Sequence, residues 1–159
     1  MSGTEDESED VRWLSEDARG AWLAMAALVV KLPGALDTQL LAEAGVSFFE
    51  YMVLAGLSEQ PDLGMQMSDL AAFTSASLSR LSHTASRLEE HGLMTRHQVP
   101  GHGRRTRAVL TDAGLEKVRS AAPGHVMHVR HLLIDGLPRR DVATLTRLGE
   151  RVLAAIDAQ

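Results

Sequence analysis

Residues 78–110 constrain this chain more than any other stretch, because the hydrophobic period changes inside them. Apolar side chains at Leu78, Leu81, Ala85 and Leu88 step by three, four and three, the spacing of one helix face. Gly92 follows where a helix ends in a left-handed residue. After it, Met94–Val99 and Thr106–Leu110 are short enough for strands, and Pro100-Gly101-His102-Gly103 supplies a turn between them. Upstream, Ser68 can cap a short helix over Asp69–Phe73, and Thr74-Ser75 makes a polar turn into the longer helix. The predicted order is helix, tight turn, helix, then a two-stranded hairpin.

Longer helices flank this unit. Leu14, Ala18, Ala21, Met25, Leu28 and Leu32 form one seam, with Ser15 as N-cap and Lys31 and Pro33-Gly34 expected to close the helix. Ser47-Phe48-Phe49-Glu50 reads as a capping box, with Val46 and Tyr51 as its hydrophobic staple, opening a helix that ends near Pro61. Thr111 and Asp112 start another helix, which Pro123-Gly124 is expected to kink or interrupt before it continues through His125–Asp135. Pro138 suits the start of a last helix striped by Val142, Leu145, Leu148, Val152 and Ile156. The fold class is mainly α with a small β-hairpin wing (α+β). One domain over residues 13–159 follows an acidic tail, residues 1–12, that is expected to be disordered.

Charge distribution sharpens the reading. Seven acids and one arginine give residues 1–17 a net −6, against −5 for the whole chain, so the remainder carries +1. Residues 77–107 hold six arginines and two glutamates, a net +4. The acidic tail is expected to repel polyanions, and the basic middle to attract them. No cysteine is present, which removes disulfides, thiolate metal sites and thiol catalysis. No apolar run in the sequence reaches the roughly 18 residues of a membrane span, and the acidic start is unlike a signal peptide. A cytoplasmic protein with no membrane partner is expected.

Between the apolar positions of the helix over 78–91 lies a polar face of Ser79, Arg80, Ser82, His83, Thr84, Ser86 and Arg87 without an acid. Surface helices usually mix glutamate with lysine, so a plain solvated face is the weaker reading. Short donors and long cations are what a helix needs to enter the major groove of double-stranded DNA. A basic hairpin can then follow the backbone or insert an arginine into the minor groove. The expected DNA-binding residues are Ser77, Ser79, Arg80, His83, Thr84 and Arg87 on the helix, with Arg104, Arg105 and Thr106 on the wing.

Leu88-Glu89-Glu90-His91-Gly92-Leu93-Met94-Thr95-Arg96, followed by Leu110-Thr111-Asp112-Ala113-Gly114, resembles the MarR family pattern Leu-Glu-x-x-Gly-Leu-hydrophobic-x-Arg with Leu-Thr-x-x-Gly. The resemblance covers about residues 15–157. It implies a winged helix-turn-helix regulator over about 47–111, with helices at about 13–45 and 112–157 interlocking in a homodimer. It also implies a pseudo-palindromic operator and repression relieved by a small-molecule effector. The family's wing carries Asp-x-Arg; Arg104 falls on the arginine position, while His102 replaces the aspartate.

Three other signals bear on function. His125, His128 and His131 recur every three residues, within one helix face, a spacing that could chelate zinc or nickel. Polar interface histidines are the preferred reading, and no metal or cofactor is expected. Trp22, Met25, Phe48, Phe49 and Met52 could line a ligand pocket, although residues at such spacing are more often core. Gly101-His102-Gly103 lacks a third glycine at dinucleotide-binding spacing, and no catalytic motif is present, so the chain is not read as an enzyme. The rival reading is a dimerisation or adaptor module on the same fold that does not bind DNA.

Overall fold

A computed structural model describes residues 12–101 and 105–159. The chain divides into two compact units, residues 1–34 and residues 35–159, with the boundary inside the first helix. That helix, α1, spans Glu16–Ala44. Ser15 caps it as expected, its Oγ accepting from the Ala18 N–H at 3.2 Å. The expected stop at Pro33-Gly34 does not occur. Proline removes one N–H and crowds one carbonyl, but Leu36, Gln39 and Leu40 lie one turn beyond and are buried, which holds the helix through to Ala44. Uninterrupted, α1 is long and apolar enough to cross a membrane by length and composition alone, a test that a helix of a soluble protein also passes.

In the first unit, residues 12–34 bury no side chain fully, and Trp13, Leu14, Trp22, Leu23, Val29 and Val30 are exposed. The second unit holds the core. Helix α2 (Phe48–Ser58) begins with the expected capping box: Ser47 Oγ accepts from the Glu50 N–H, and Glu50 Oε2 accepts from the Ser47 N–H at 2.7 Å. Asp37 in the second half of α1 adds a 2.8 Å bond from the Phe48 N–H. A short strand, β1 (Gly64–Gln66), runs directly into helix α3 (Met67–Phe73). The cap expected from Ser68 is absent; Gln66 occupies the N-cap without a side-chain bond, and Ser68 Oγ bonds Asp69 instead.

Ser75, at φ 51°, turns the chain into helix α4 (Leu78–Glu90), capped by Ser77. Strands β2 (Met94–Gln98) and β3 (Thr106–Leu110) form the hairpin, and β1 pairs with the free edge of β3, giving an antiparallel sheet of order β1-β3-β2. Helix α5 (Asp112–Val129) follows, capped by Thr111, and passes through Pro123 without the expected interruption. At Gly124 an added Cβ would meet only the flexible end of the Glu43 side chain; α5 packs on α2, where His125 lies against Tyr51. A π turn over Arg130–Ile134 leads to helix α6 (Arg139–Asp157), where Pro138 is the N-cap.

The core joins α2 to both winged elements through Val53, Leu54, Leu57, Leu70, Leu81, Leu88, Met94 and Leu110. Gly92-Leu93 and Thr111 to Gly114 interlock within it. Thr111 Oγ1 donates to the Gly92 carbonyl at 2.7 Å, the Thr111 N–H donates to the Leu93 carbonyl, and a Cβ on Gly114 would strike that carbonyl. The spacing of the two sequence motifs is therefore a packing requirement that fixes the wing against α5.

Candidate nucleic-acid interface

Helix α4 turns Leu81, Thr84, Ala85 and Leu88 inward. Those positions follow i, i+3, i+4, i+7, so the core claims Thr84 although its side chain is polar. Thr84 is 7% exposed, which removes it from the face assigned to it by sequence. Leu78, counted with the apolar stripe, is instead 58% exposed. Ser79, Arg80, Ser82, His83 and Arg87 are exposed, and Ser86 is half-buried. Ser77 is exposed as well, but its Oγ accepts from the Arg80 N–H at 3.2 Å and starts the helix.

Two cations on α4 are tied to the start of α2. The Arg80 guanidinium stacks 4.1 Å over the Phe49 ring, a cation–π arrangement that leaves its N–H edges free to turn outward. Arg87 pairs with the buried Glu50 carboxylate at 2.6 Å while its own side chain remains half exposed. The start of α2 therefore also orients two residues on the outer face of α4, Arg87 through Glu50 and Arg80 through Phe49.

Two further arginines, part of the basic tally for residues 77–107, are structural braces. Arg96 on β2 donates to Glu89 at 2.6 and 2.9 Å, to Ser86 at 2.9 Å and to Ser82 Oγ at 3.2 Å. The bond from Arg96 holds the Glu89 carboxyl below its ordinary pKa. Arg107 on β3 bonds Asp62 and the Gly64 carbonyl. The wing is thus braced against α4 on one side and β1 on the other. Sequence reasoning missed both roles; the Leu-x-x-x-x-x-x-x-Arg part of the motif carried Arg96 without revealing its partners.

At the hairpin end the Val99 N–H bonds the Arg105 carbonyl at 2.9 Å, Arg105 is exposed and Thr106 is half-buried. Arg104, with His102 and Gly103, lies outside the described residues. A groove of about 370 Å³ opens between the starts of α3 and α4 and the hairpin, lined by Gln66, Ser68, Leu78, Ser82, Arg96 and Arg105 among others. Gln66 and Ser68 had not been anticipated there.

The residues expected to line a ligand pocket do not form one of the described cavities. Trp22 and Met25 are exposed at 60% and 42%, Phe49 underlies Arg80, Phe48 lies 6.0 Å from the His125 ring, and Met52 is half-buried. Nor do the three histidines converge. His125 packs at 4.6 Å on Tyr51, whereas His128 and His131 line a shallow cleft with Glu43. Among the described residues no group of three or more histidine, aspartate or glutamate side chains is arranged to hold a metal.

His125 Nδ1 is buried without a partner. Burial, and secondarily the neighbouring His128, lowers its pKa, so the folded protein prefers it neutral. A depressed histidine pKa contributes stability above the unfolded value of about 6.5 that is lost as pH falls below it. The melting temperature is expected to drop as pH falls below about 6.5, and to drop less in His125→Phe. Equal slopes in the two proteins would remove His125 as the cause.

No protein-family model matches the chain. No curated protein matches it either. Among solved structures it is similar to a MarR family transcriptional regulator from Streptomyces coelicolor determined in complex with DNA, at 35% identity and TM-score 0.85, covering 90% of this chain and 89% of that one. It is equally similar in sequence to AbsC, a MarR family transcriptional regulator from Streptomyces coelicolor, at 35% identity and TM-score 0.87, covering 93% and 99%. The PcaV transcriptional regulator from Streptomyces coelicolor, in complex with its natural ligand, shares the fold at 22% identity and TM-score 0.68, covering 98% and 99%.

Proposed function

The chain belongs to the MarR family of transcriptional regulators, and on that premise we propose that it is a homodimeric, sequence-specific DNA-binding repressor released by a small-molecule effector. The observation that carries the reading is the outer face of α4. It offers Ser79, Arg80, Ser82 and His83 to solvent without an acid, beside a braced basic wing. Serine and histidine can read base edges, arginine can read guanine or a phosphate, and Arg105 with Arg104 can follow the neighbouring minor groove.

Dimerisation is supported by apolar surface. On α6, Leu145, Leu148, Val152, Leu153 and Ile156 are each at least 41% exposed, and no residue of that helix is buried. The exposed tryptophans and aliphatic side chains of residues 12–34 add to it. Such an area on helices is better matched by a second copy than by lipid, since Arg19 and Lys31 interrupt α1 and charged residues line α6. A two-fold pair would present two recognition helices about 34–36 Å apart to an inverted repeat. The DNA-bound and ligand-bound relatives support the operator and effector parts of the reading.

Operator binding by the full chain, measured by fluorescence anisotropy on duplexes selected from genomic fragments, tests the proposal. Arg80→Ala and His83→Ala should each cost about 1–3 kcal/mol and relax preference at particular positions. Arg105→Ala should weaken binding to many sequences and flatten the salt dependence. Folded, dimeric variants that bind as well as the parent would leave the adaptor reading standing.

A further inference from the structure

Leu78 is the first residue of α4, and the core makes no use of it. Leu81, Leu88 and Ala85 on the same helix are at most 1% exposed, while Leu78 is 58% exposed. It shares a flank with Ser82, one turn on, and faces the groove that also holds Gln66, Ser68, Arg96 and Arg105. Leu78, with Met67 the other apolar side chain there, is therefore set among amide, hydroxyl and guanidinium groups, with no acid among the described residues that line the groove. Arg96 is already paired with Glu89, so it is the exposed Arg105 that suits the groove to a polyanion.

Given the reading above, in which α4 enters the major groove, a leucine at its leading end needs an apolar group there. The base edges of the major groove offer one in unmodified DNA, the 5-methyl group of thymine. We propose that Leu78 is a specificity-determining residue that selects a thymine in each half-site by packing on its methyl group. Gln66 and Ser68, at the start of α3, border the same groove and are positioned for the adjoining phosphates or base edges. The residue contributes discrimination between pyrimidines rather than bulk affinity.

The test uses the full-length protein and a randomised synthetic duplex library. After selection, each thymine of the recovered duplex is replaced singly by deoxyuridine, which keeps the pairing and removes the methyl group. Burial of one methyl-sized group corresponds to about fourfold in affinity (~0.8 kcal/mol, with tenfold per 1.4 kcal/mol). Parent protein should lose about fourfold at one thymine per half-site. Leu78→Ala should bind the thymine and deoxyuridine duplexes equally, while keeping the parent's melting temperature and dimer. An exposed position makes that variant a safe one to fold.

Selection that yields a sequence with no methyl-sensitive thymine overturns this inference and leaves the proposed function intact. So does a deoxyuridine effect that persists unchanged in Leu78→Ala, or a loss of dimer in that variant without DNA. Failure of the library to enrich any sequence overturns both.

Discussion

Leu148→Glu is expected to cost the protein its folded dimer. In one chain Leu148 is 47% exposed at the middle of a stripe running from Leu145 to Ile156, on a helix that buries nothing of its own. A helix of that kind is not sustained by local propensity alone; it needs its apolar face covered. In a two-fold dimer each substitution acts twice. Removing two leucines forfeits roughly 1.5–3 kcal/mol each, and desolvating two carboxylates adds several more. The total rivals the 5–15 kcal/mol that keeps an ordinary domain folded. Sedimentation equilibrium and far-ultraviolet circular dichroism should therefore report aggregated or unfolded protein rather than a stable monomer. A Leu148→Glu protein that remains a dimer with the parent's melting temperature would exclude α6 from the interface.

What could be read from the sequence followed how local its causes were. The capping box at Ser47 and the caps at Ser15 and Thr111 involve partners three residues away, and each forms as the residue types imply; Ser77, expected to meet DNA, caps α4 in the same way, and the cap expected at Ser68 does not form. Strand β1 could not be read, because its three residues are extended only by pairing with β3, Gly64 opposite Val109. Prolines misled in the opposite sense. A lost backbone bond implies a stop at Pro33 and a kink or interruption at Pro123, yet burial of Leu36 and Leu40, and the packing of His125 on Phe48 and Tyr51, carry both helices onward. Thr84 shows the limit of polar patterning, since periodicity placed it inward and residue type placed it out. The geometry of the candidate interface depended on distant partners. Nothing near Arg87, Arg80 or Arg96 in the sequence announces Glu50, Phe49 or, across a turn, Ser82.

Glu50→Ala should expose how much the recognition helix depends on those distant partners. Glu50 is 6% exposed and does two things at once: one oxygen accepts the Ser47 N–H, closing the capping box, and the other takes Arg87. Truncation orphans a half-buried N–H and frees an arginine, with an expected loss of about 2 kcal/mol. For a chain of this length that lowers the melting temperature by about 4–8 °C. Glu50→Gln separates the two roles. Glutamine can still cap, so the difference between the variants measures the cap, and its own shortfall measures the ion pair. The ion pair should be the smaller part, under about 1 kcal/mol, because Arg87 is half in solvent. In the folded protein both variants should bind operator duplexes less tightly than the parent, because Phe49 adjoins Glu50 and the Arg80 stack shares its anchorage. Parent-like melting of Glu50→Ala would show that the start of α2 is held by Asp37 and the core, and that Arg87 is oriented without it.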